Sequence, residues 1–285
     1  MNKKEIVISS YSGFCFGVRR ALDIADKALK EHVRVYSLGP IIHNGQVVGE
    51  FSKKGLKVTR NISRLKMGKK AILIPSHGVS PDFLKGKKFT MVDTTCPLVR
   101  KVQKLLEGLV KKGYYIIIVG NKFHPEVRGL IGITGKKKLA VVKDKKEARL
   151  INFPSGTGKV AVIAQTTASV ADFKDVVSEI AKKDFAELVS LNTVCRNTVE
   201  RVKEALQIAE KVDAMIVIGG KESANTTKLA RACRRANRHT HHIETTSDLK
   251  RGFFKNKRRI GIATGASTPP YAIQDVVREL RRIDC

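Results

Sequence analysis

The sequence contains no tryptophan, and aromatic residues make up only 6% of it. That scarcity removes the stacking platforms on which binders of single-stranded nucleic acid depend. Cysteine is also sparse: Cys15, Cys96, Cys195, Cys233 and Cys285 are the five in 285 residues. An odd count, wide spacing and the lack of any Cys-x-x-Cys pair argue against a disulfide scaffold or a zinc ribbon. No apolar run approaches the ~20 residues of a membrane span, so no membrane partner is expected. The N-terminus runs from Met1-Asn-Lys-Lys4 straight into strand-like Glu5–Ser9. It has neither a signal peptide's apolar region nor a transit peptide's Ser/Arg-rich stretch, and a cytoplasmic protein is expected.

Acid is the remaining shortage. Only 26 acidic residues stand against 55 basic ones, a net charge of +29. The basic residues fall in short clusters at 85–88, 136–138, 143–146, 231–238 and 255–259. Such a field attracts RNA, anionic substrates or an acidic protein partner. With few aromatic residues and no stacking motif interleaved among the clusters, nucleic acid is not the expected partner. Ser155-Gly-Thr-Gly-Lys159 lacks the first glycine and the final hydroxyl residue of a phosphate loop, and is set aside.

Length alone suggests about two domains, but the pattern along the chain is threefold. After Cys15 a helical stripe runs through Val18, Ala21, Leu22, Ala25, Ala28 and Leu29, followed by a strand over 33–38 that ends at Gly39. After Cys96 the same grammar returns, with a strand over Tyr114–Val119 and then Gly120; after Cys195 it returns again, with Ala214–Ile218 and then Gly219. Each cysteine precedes its glycine by 24 residues, and 28 residues past each cysteine stand His43, His124 and Ser223. Each unit also holds an apolar strand that ends in a polar loop: Ser76-His77-Gly78, Gln165-Thr166-Thr167 and Gly265-Ala-Ser267-Thr268. Equal offsets of this kind mark an internal repeat.

Strands alternating with helices predict an α/β fold: three small parallel-sheet lobes in a pseudo-threefold trefoil. The expected boundaries are 13–95, 96–192 and 193–285, with 1–12 completing the third lobe. Ligands of such sheets lie at the carboxyl ends of the strands, where every cysteine and polar loop of the repeat falls.

Three thiolates meeting at one point form a soft metal site, suited to zinc or to an iron–sulfur cluster with one iron left open. His43, His77, His124, Thr166, Thr167, Ser223, Asn225 and Ser267 are mostly donors, which suits a phosphate or diphosphate. Glu126 is the one carboxylate among them without a bland role, and a buried acid there is a candidate proton source. Cys233, in a helix, and Cys285 lie outside the repeat and read as structural. His239-Thr-His241-His242 lies in an alternating strand-like run and reads likewise. The alternative function is a basic RNA-binding α/β protein with a structural zinc, which leaves the repeated loops unexplained.

Together the motifs Gly13-Phe-Cys15-Phe-Gly17, Ile42-His43-Asn44, Ser76-His77-Gly78, Asp93-Thr-Thr-Cys96-Pro97, His124-Pro-Glu126, Gln165-Thr166-Thr167, Asn192-Thr-Val-Cys195, Ser223-Ala-Asn225 and Gly265-Ala-Ser267-Thr-Pro269 resemble the 4-hydroxy-3-methylbut-2-enyl diphosphate reductase family. That family catalyses the last step of the methylerythritol phosphate route to isoprenoids. The resemblance implies one [4Fe–4S] cluster held by Cys15, Cys96 and Cys195, with the substrate hydroxyl binding the open iron. Two electrons and protons then remove that hydroxyl as water, giving isopentenyl and dimethylallyl diphosphate. It implies a diphosphate bound by His43, His77, His124, Ser223, Asn225 and Ser267, a proton supplied by Glu126, and Thr166 placing the hydroxyl. An acidic ferredoxin or flavodoxin would be the electron donor. The chain departs from the family pattern at Lys122-Phe123, Glu222, Ala224, Arg201-Val202 and Pro270-Tyr271.

Overall fold

In a computed structural model the chain is described at residues 4–32, 34–62, 65, 70–84, 89–135 and 138–283. Cys285, the basic cluster at 85–88 and residues 136 and 137 of the next one lie outside the described residues. The described elements in chain order are β1 (Glu5–Ile8), α1 (Phe16–Glu31), β2 (Val35–Leu38), α2 (Gly45–Lys53), β3 (Leu56–Thr59), β4 (Ala71–Ile74), β5 (Thr90–Asp93), α3 (Pro97–Lys111), β6 (Tyr115–Val119), α4 (Pro125–Ile133), β7 (Leu139–Val142), α5 (Lys145–Arg149), β8 (Lys159–Ala164), α6 (Val170–Ile180), β9 (Glu187–Leu191), α7 (Arg196–Ala209), β10 (Ala214–Ile218), α8 (Ala224–Ala236), β11 (Thr240–Ile243), β12 (Arg259–Thr264) and α9 (Pro270–Arg282).

The strands form three four-stranded sheets, β1-β12-β10-β11, β3-β2-β4-β5 and β7-β6-β8-β9, and these are three parallel α/β lobes. Read from the strand that precedes a cysteine, the order is the same in each: β1-β12-β10-β11, β5-β4-β2-β3 and β9-β8-β6-β7. The N-terminal strand pairs with β12, with Ile6 opposite Ile260. Each cysteine therefore stands where the chain leaves one sheet, and the helix that follows carries it to the next. That shared route is the physical origin of the 24-residue spacing.

By internal contact the chain divides into two compact units. One comprises Met1–Asp23, Pro40–Val58 and Asn197–Cys285, and the other Ile24–Gly39 and Thr59–Arg196. In the second unit every residue of β6 is buried, because both faces of its sheet are covered. Ile116 and Ile118 pack on Leu106 and Leu130 of α3 and α4. Ile117 and Val119 face the other way, onto Phe173 and Val176 of α6. In the first unit Ile216 and Ile218 pack with Val276 and Leu280 of α9, and Met215 and Val217 with Leu229 and Ala230 of α8. Burying each such side chain contributes about 1.5–3 kcal/mol. Among the described residues no helix is long and apolar enough to cross a membrane.

Helix ends follow local chemistry. Pro97 opens α3, where its missing N–H is no loss. Gly113, at φ +80°, turns the chain out of that helix.

Candidate active site

Each cysteine loop carries the same backbone bond. Cys15 N–H donates to the Ala266 carbonyl at 3.0 Å, Cys96 N–H to Ser76 at 2.8 Å and Cys195 N–H to Thr166 at 2.7 Å. Each acceptor lies two residues past the end of the sheet strand next to the one that leads into the cysteine, namely β12, β4 and β8. All three thiols are half-buried and stand immediately before the first turn of a helix, α1, α3 or α7. Cys233 contrasts with them: it is wholly buried within α8, and burial pushes its pKa up to about 11.

In the second unit the strand-end loops bring most of the predicted polar residues together. Glu126, in the first turn of α4, is 2% exposed. One carboxylate oxygen accepts the Thr166 N–H at 2.7 Å and the other accepts the Thr166 hydroxyl at 2.8 Å. Removal from water dominates over these two bonds and raises the Glu126 pKa to about 7. The same Thr166 accepts from Cys195, so a continuous run of hydrogen bonds joins Glu126 to a cysteine loop. His124 caps α4 by accepting the Glu126 N–H at Nδ1, 3.2 Å away. Its ring lies edge-on to His77, with centroids 6.5 Å apart.

Glycine permits this approach. A Cβ on Gly132 would sit 1.9 Å from Ser80 Oγ, while one on Gly129 would make only ordinary contact with the Val79 backbone, at 3.5 Å. The helix that carries Glu126 therefore rests directly on the loop that carries His77. Gly120 leaves room for Gln165, whose amide accepts from Asn121 N–H at 3.1 Å and donates to Thr167 Oγ1 at 2.7 Å.

The first unit holds Cys15, His43, Ser223, Asn225 and Ser267. Ser267 donates its hydroxyl to the His43 carbonyl at 2.9 Å. His43 keeps an open edge to solvent, while the protein around it desolvates the ring and lowers its pKa. Ser223 caps α8, its oxygen accepting from Thr226 N–H at 3.4 Å and Thr226 Oγ1 at 3.1 Å, which leaves its own proton to donate. Asn225 follows in the first turn of α8, half-buried.

The repeat is not perfect at this position. His124 and Ser223 cap their helices, but Asn44 rather than His43 caps α2, accepting from Val47 N–H at 3.1 Å. The histidine run of β11 has packing duties: His241 stacks on Phe253 at 3.7 Å, and His242 Nε2 lies 2.9 Å from the Gly219 carbonyl. Of the departures, Phe123 is 75% exposed, and Tyr271, in the first turn of α9, donates its hydroxyl to Glu50. Arg201, noted in the sequence only beside the departure at Val202, is 5% exposed and bonded to backbone carbonyls of the Cys15 loop and β12. A buried guanidinium leaves no periodic signal, so no pattern along the chain pointed to it.

Within either unit, among the described residues, no three His, Cys, Asp or Glu side chains stand close enough to hold a metal ion. The donor chemistry nonetheless fits an iron–sulfur cluster. Three thiols share one backbone setting at helix N-termini.

Comparison with known proteins agrees over the whole length. The family model described as LytB protein matches residues 6–281. A 4-hydroxy-3-methylbut-2-enyl diphosphate reductase of Geobacter metallireducens is 39% identical over 283 residues, covering 98% of this chain and 98% of the relative. The enzyme of the same name from Caldanaerobacter subterraneus subsp. tengcongensis is 40% identical over 288 residues, covering 98% and 97%. A solved structure of (E)-4-hydroxy-3-methyl-but-2-enyl diphosphate reductase, the terminal enzyme of the non-mevalonate pathway, superposes with a TM-score of 0.73 at 36% identity, covering 98% of this chain and 99% of that one. The Plasmodium falciparum E-1-hydroxy-2-methyl-but-2-enyl-4-diphosphate reductase gives 0.88 at 28% identity, covering 97% and 88%.

Proposed function

The chain belongs to the LytB family, and from that premise we propose that it is an oxidoreductase that reduces 4-hydroxy-3-methylbut-2-enyl diphosphate to isopentenyl and dimethylallyl diphosphate. The observation that carries the reading is Glu126, a wholly buried acid with its pKa near 7, bonded through Thr166 to the Cys195 loop. Cys15, Cys96 and Cys195 would hold a [4Fe–4S] cluster, which when bound supplies the electrons and a Lewis-acid iron.

The chain's own residues account for the rest. Removing the allylic hydroxyl as water consumes two electrons and two protons. Glu126 keeps a proton near neutral pH because burial disfavours its anion. The Thr166 hydroxyl, 2.8 Å from that carboxyl, orients the substrate hydroxyl and passes the proton on. His43, His77, His124, Ser223 and Asn225 donate to the diphosphate, Ser267 joins them once its hydroxyl turns from the His43 carbonyl, and the helix N-termini at His124 and Ser223 add their dipoles. On this reading the three lobes span 13–95, 96–192 and 193–285, with 1–12 joined to the third. The protein then works in the cytoplasm with an acidic ferredoxin or flavodoxin, to which the +29 charge offers a complementary field.

Anaerobically purified protein is expected to be brown and to carry about four irons per chain. Glu126→Gln is expected to keep the iron and bind the substrate while losing nearly all turnover. A colourless protein with one zinc after anaerobic loading sinks the cluster, and full turnover in Glu126→Gln removes that residue from its role.

A further inference from the structure

The three cysteine loops are tied to their sheets at a second point, and by two different devices. In the Cys96 loop, Thr94 lies two residues before the cysteine and donates its hydroxyl to the Ile74 carbonyl at 2.6 Å, where β4 ends. In the Cys195 loop, Thr193 does the same to the Ala164 carbonyl, where β8 ends, and accepts the Ala164 N–H at 2.8 Å. The corresponding residue of the Cys15 loop is Gly13, at φ +89°. It has no hydroxyl to give, and its backbone sits in a region that threonine avoids.

Other side chains fill the gap. Thr264, at the end of β12, accepts the Gly13 N–H at 2.8 Å. Arg201 donates from Nη1 to the Thr264 carbonyl at 3.0 Å, the carbonyl that corresponds to those of Ile74 and Ala164. The same nitrogen lies 3.3 Å from the Gly265 carbonyl, and Nη2 reaches the Gly13 carbonyl at 3.1 Å. One turn further along α7, Glu204 accepts from Ser10 N–H at 3.1 Å, Ser10 Oγ at 2.9 Å, Tyr11 N–H at 3.3 Å and the Ser9 hydroxyl. Both ends of the 9–13 segment thus hang on one helix.

We propose that Arg201 is the positioning residue of Cys15, a buried guanidinium doing for that loop what the Thr94 and Thr193 hydroxyls do for Cys96 and Cys195. The fork geometry explains the choice of arginine, since three carbonyls in two directions need a planar, multiply donating group that lysine cannot imitate. The inference rests on reading the three cysteines as ligands of one group, which must be presented with matched rigidity.

The test is iodoacetamide labelling of the full chain after iron removal by chelation under argon, with peptide mass spectrometry reading each cysteine against the other two. Arg201→Met is expected to speed labelling of Cys15 about tenfold relative to Cys96 and Cys195, by freeing local excursions of its loop alone. Arg201→Lys should give a smaller rise, Thr94→Val should release only Cys96, and Thr193→Val only Cys195. An unchanged Cys15 rate in Arg201→Met, or all three cysteines quickening together, overturns the proposal. Should Arg201→Met not fold, Arg201→Lys carries the test, because it keeps the charge but not the fork that reaches three carbonyls, and an unchanged Cys15 rate there overturns the proposal. Iron uptake by the wild-type chain is measured separately: a chain that takes none refutes the cluster, while the labelling pattern still decides the role of Arg201.

Discussion

Glu126→Gln is a test of stability as well as of turnover, and the expected magnitude follows from the site. Two influences compete at this carboxyl. The N–H and hydroxyl of Thr166 bond to it at 2.7 and 2.8 Å and favour the anion, while burial to 2% exposure favours the acid. Hydrogen bonds to a charged group contribute about 1.5–3 kcal/mol each, against several kcal/mol for taking a carboxylate out of water. Burial prevails, and the pKa rises from 4.5 to about 7. At 1.36 kcal/mol per pH unit, that rise is worth about 3 kcal/mol. The sign is fixed by linkage: between pH 4.5 and 7 the folded chain holds a proton that the unfolded chain has released, so stability falls as pH rises. Glutamine keeps the shape and can both accept from the Thr166 N–H and donate to its oxygen, but it does not titrate. Denaturant unfolding of the two proteins from pH 4 to 8 should therefore show nearly equal stability at pH 4 and the variant ahead by about 3 kcal/mol at pH 8. Every other titrating group is common to both and cancels. Parallel curves, or a wild type that gains on the variant as pH rises, would mean that the Thr166 bonds dominate and the acid role fails.

Two further outcomes follow from packing and burial. Gly132→Ala places a methyl group 1.9 Å from Ser80 Oγ and should destabilise the chain by about 1–3 kcal/mol in unfolding measurements, with Gly132→Ala/Ser80→Ala recovering part of the loss. Cys233, with its pKa held near 11, should resist alkylation at pH 8 in the native, iron-free chain while Cys15 and Cys195 react, and should match them only in denaturant.

The strongly apolar central strands were legible in the sequence. Ala214–Ile218 has the predicted bounds and Tyr115–Val119 differs by one residue, because five consecutive buried side chains leave no competing pattern. The cysteine-led helices were legible too, through their stripes. The outer strands β3 and β7 were not: at four residues each, Leu56-Lys-Val-Thr59 and Leu139-Ala-Val-Val142 are too short for their patterns to stand out from the flanking loops. Among the site residues, Glu126 stood out as a lone acid among donors, but its bond to Thr166 spans 40 positions and has no local signal. The devices hardest to read were those in which one residue type stands in for another, as Arg201 and Thr264 do where Gly13 lacks a hydroxyl.

A repeat gives equivalent positions equivalent surroundings, and therefore equivalent chemistry. That suits the three cysteine loops, each held by one N–H to a carbonyl two residues past a strand end. It cannot by itself supply a single proton donor, because any acid built into the repeat would occur three times. The asymmetry has to come from a departure, and it is found in the first turn of one helix. Two residues past the caps His124, Ser223 and Asn44 stand Glu126, Asn225 and Gln46. All three can take part in hydrogen bonds, but only one can hold a titrating proton. Amides at the sister positions are polar without adding the negative charge that would repel a phosphate under the proposed function. On the proposed function, the difference between an acid and an amide would separate the residue that gives the proton from those that would bind.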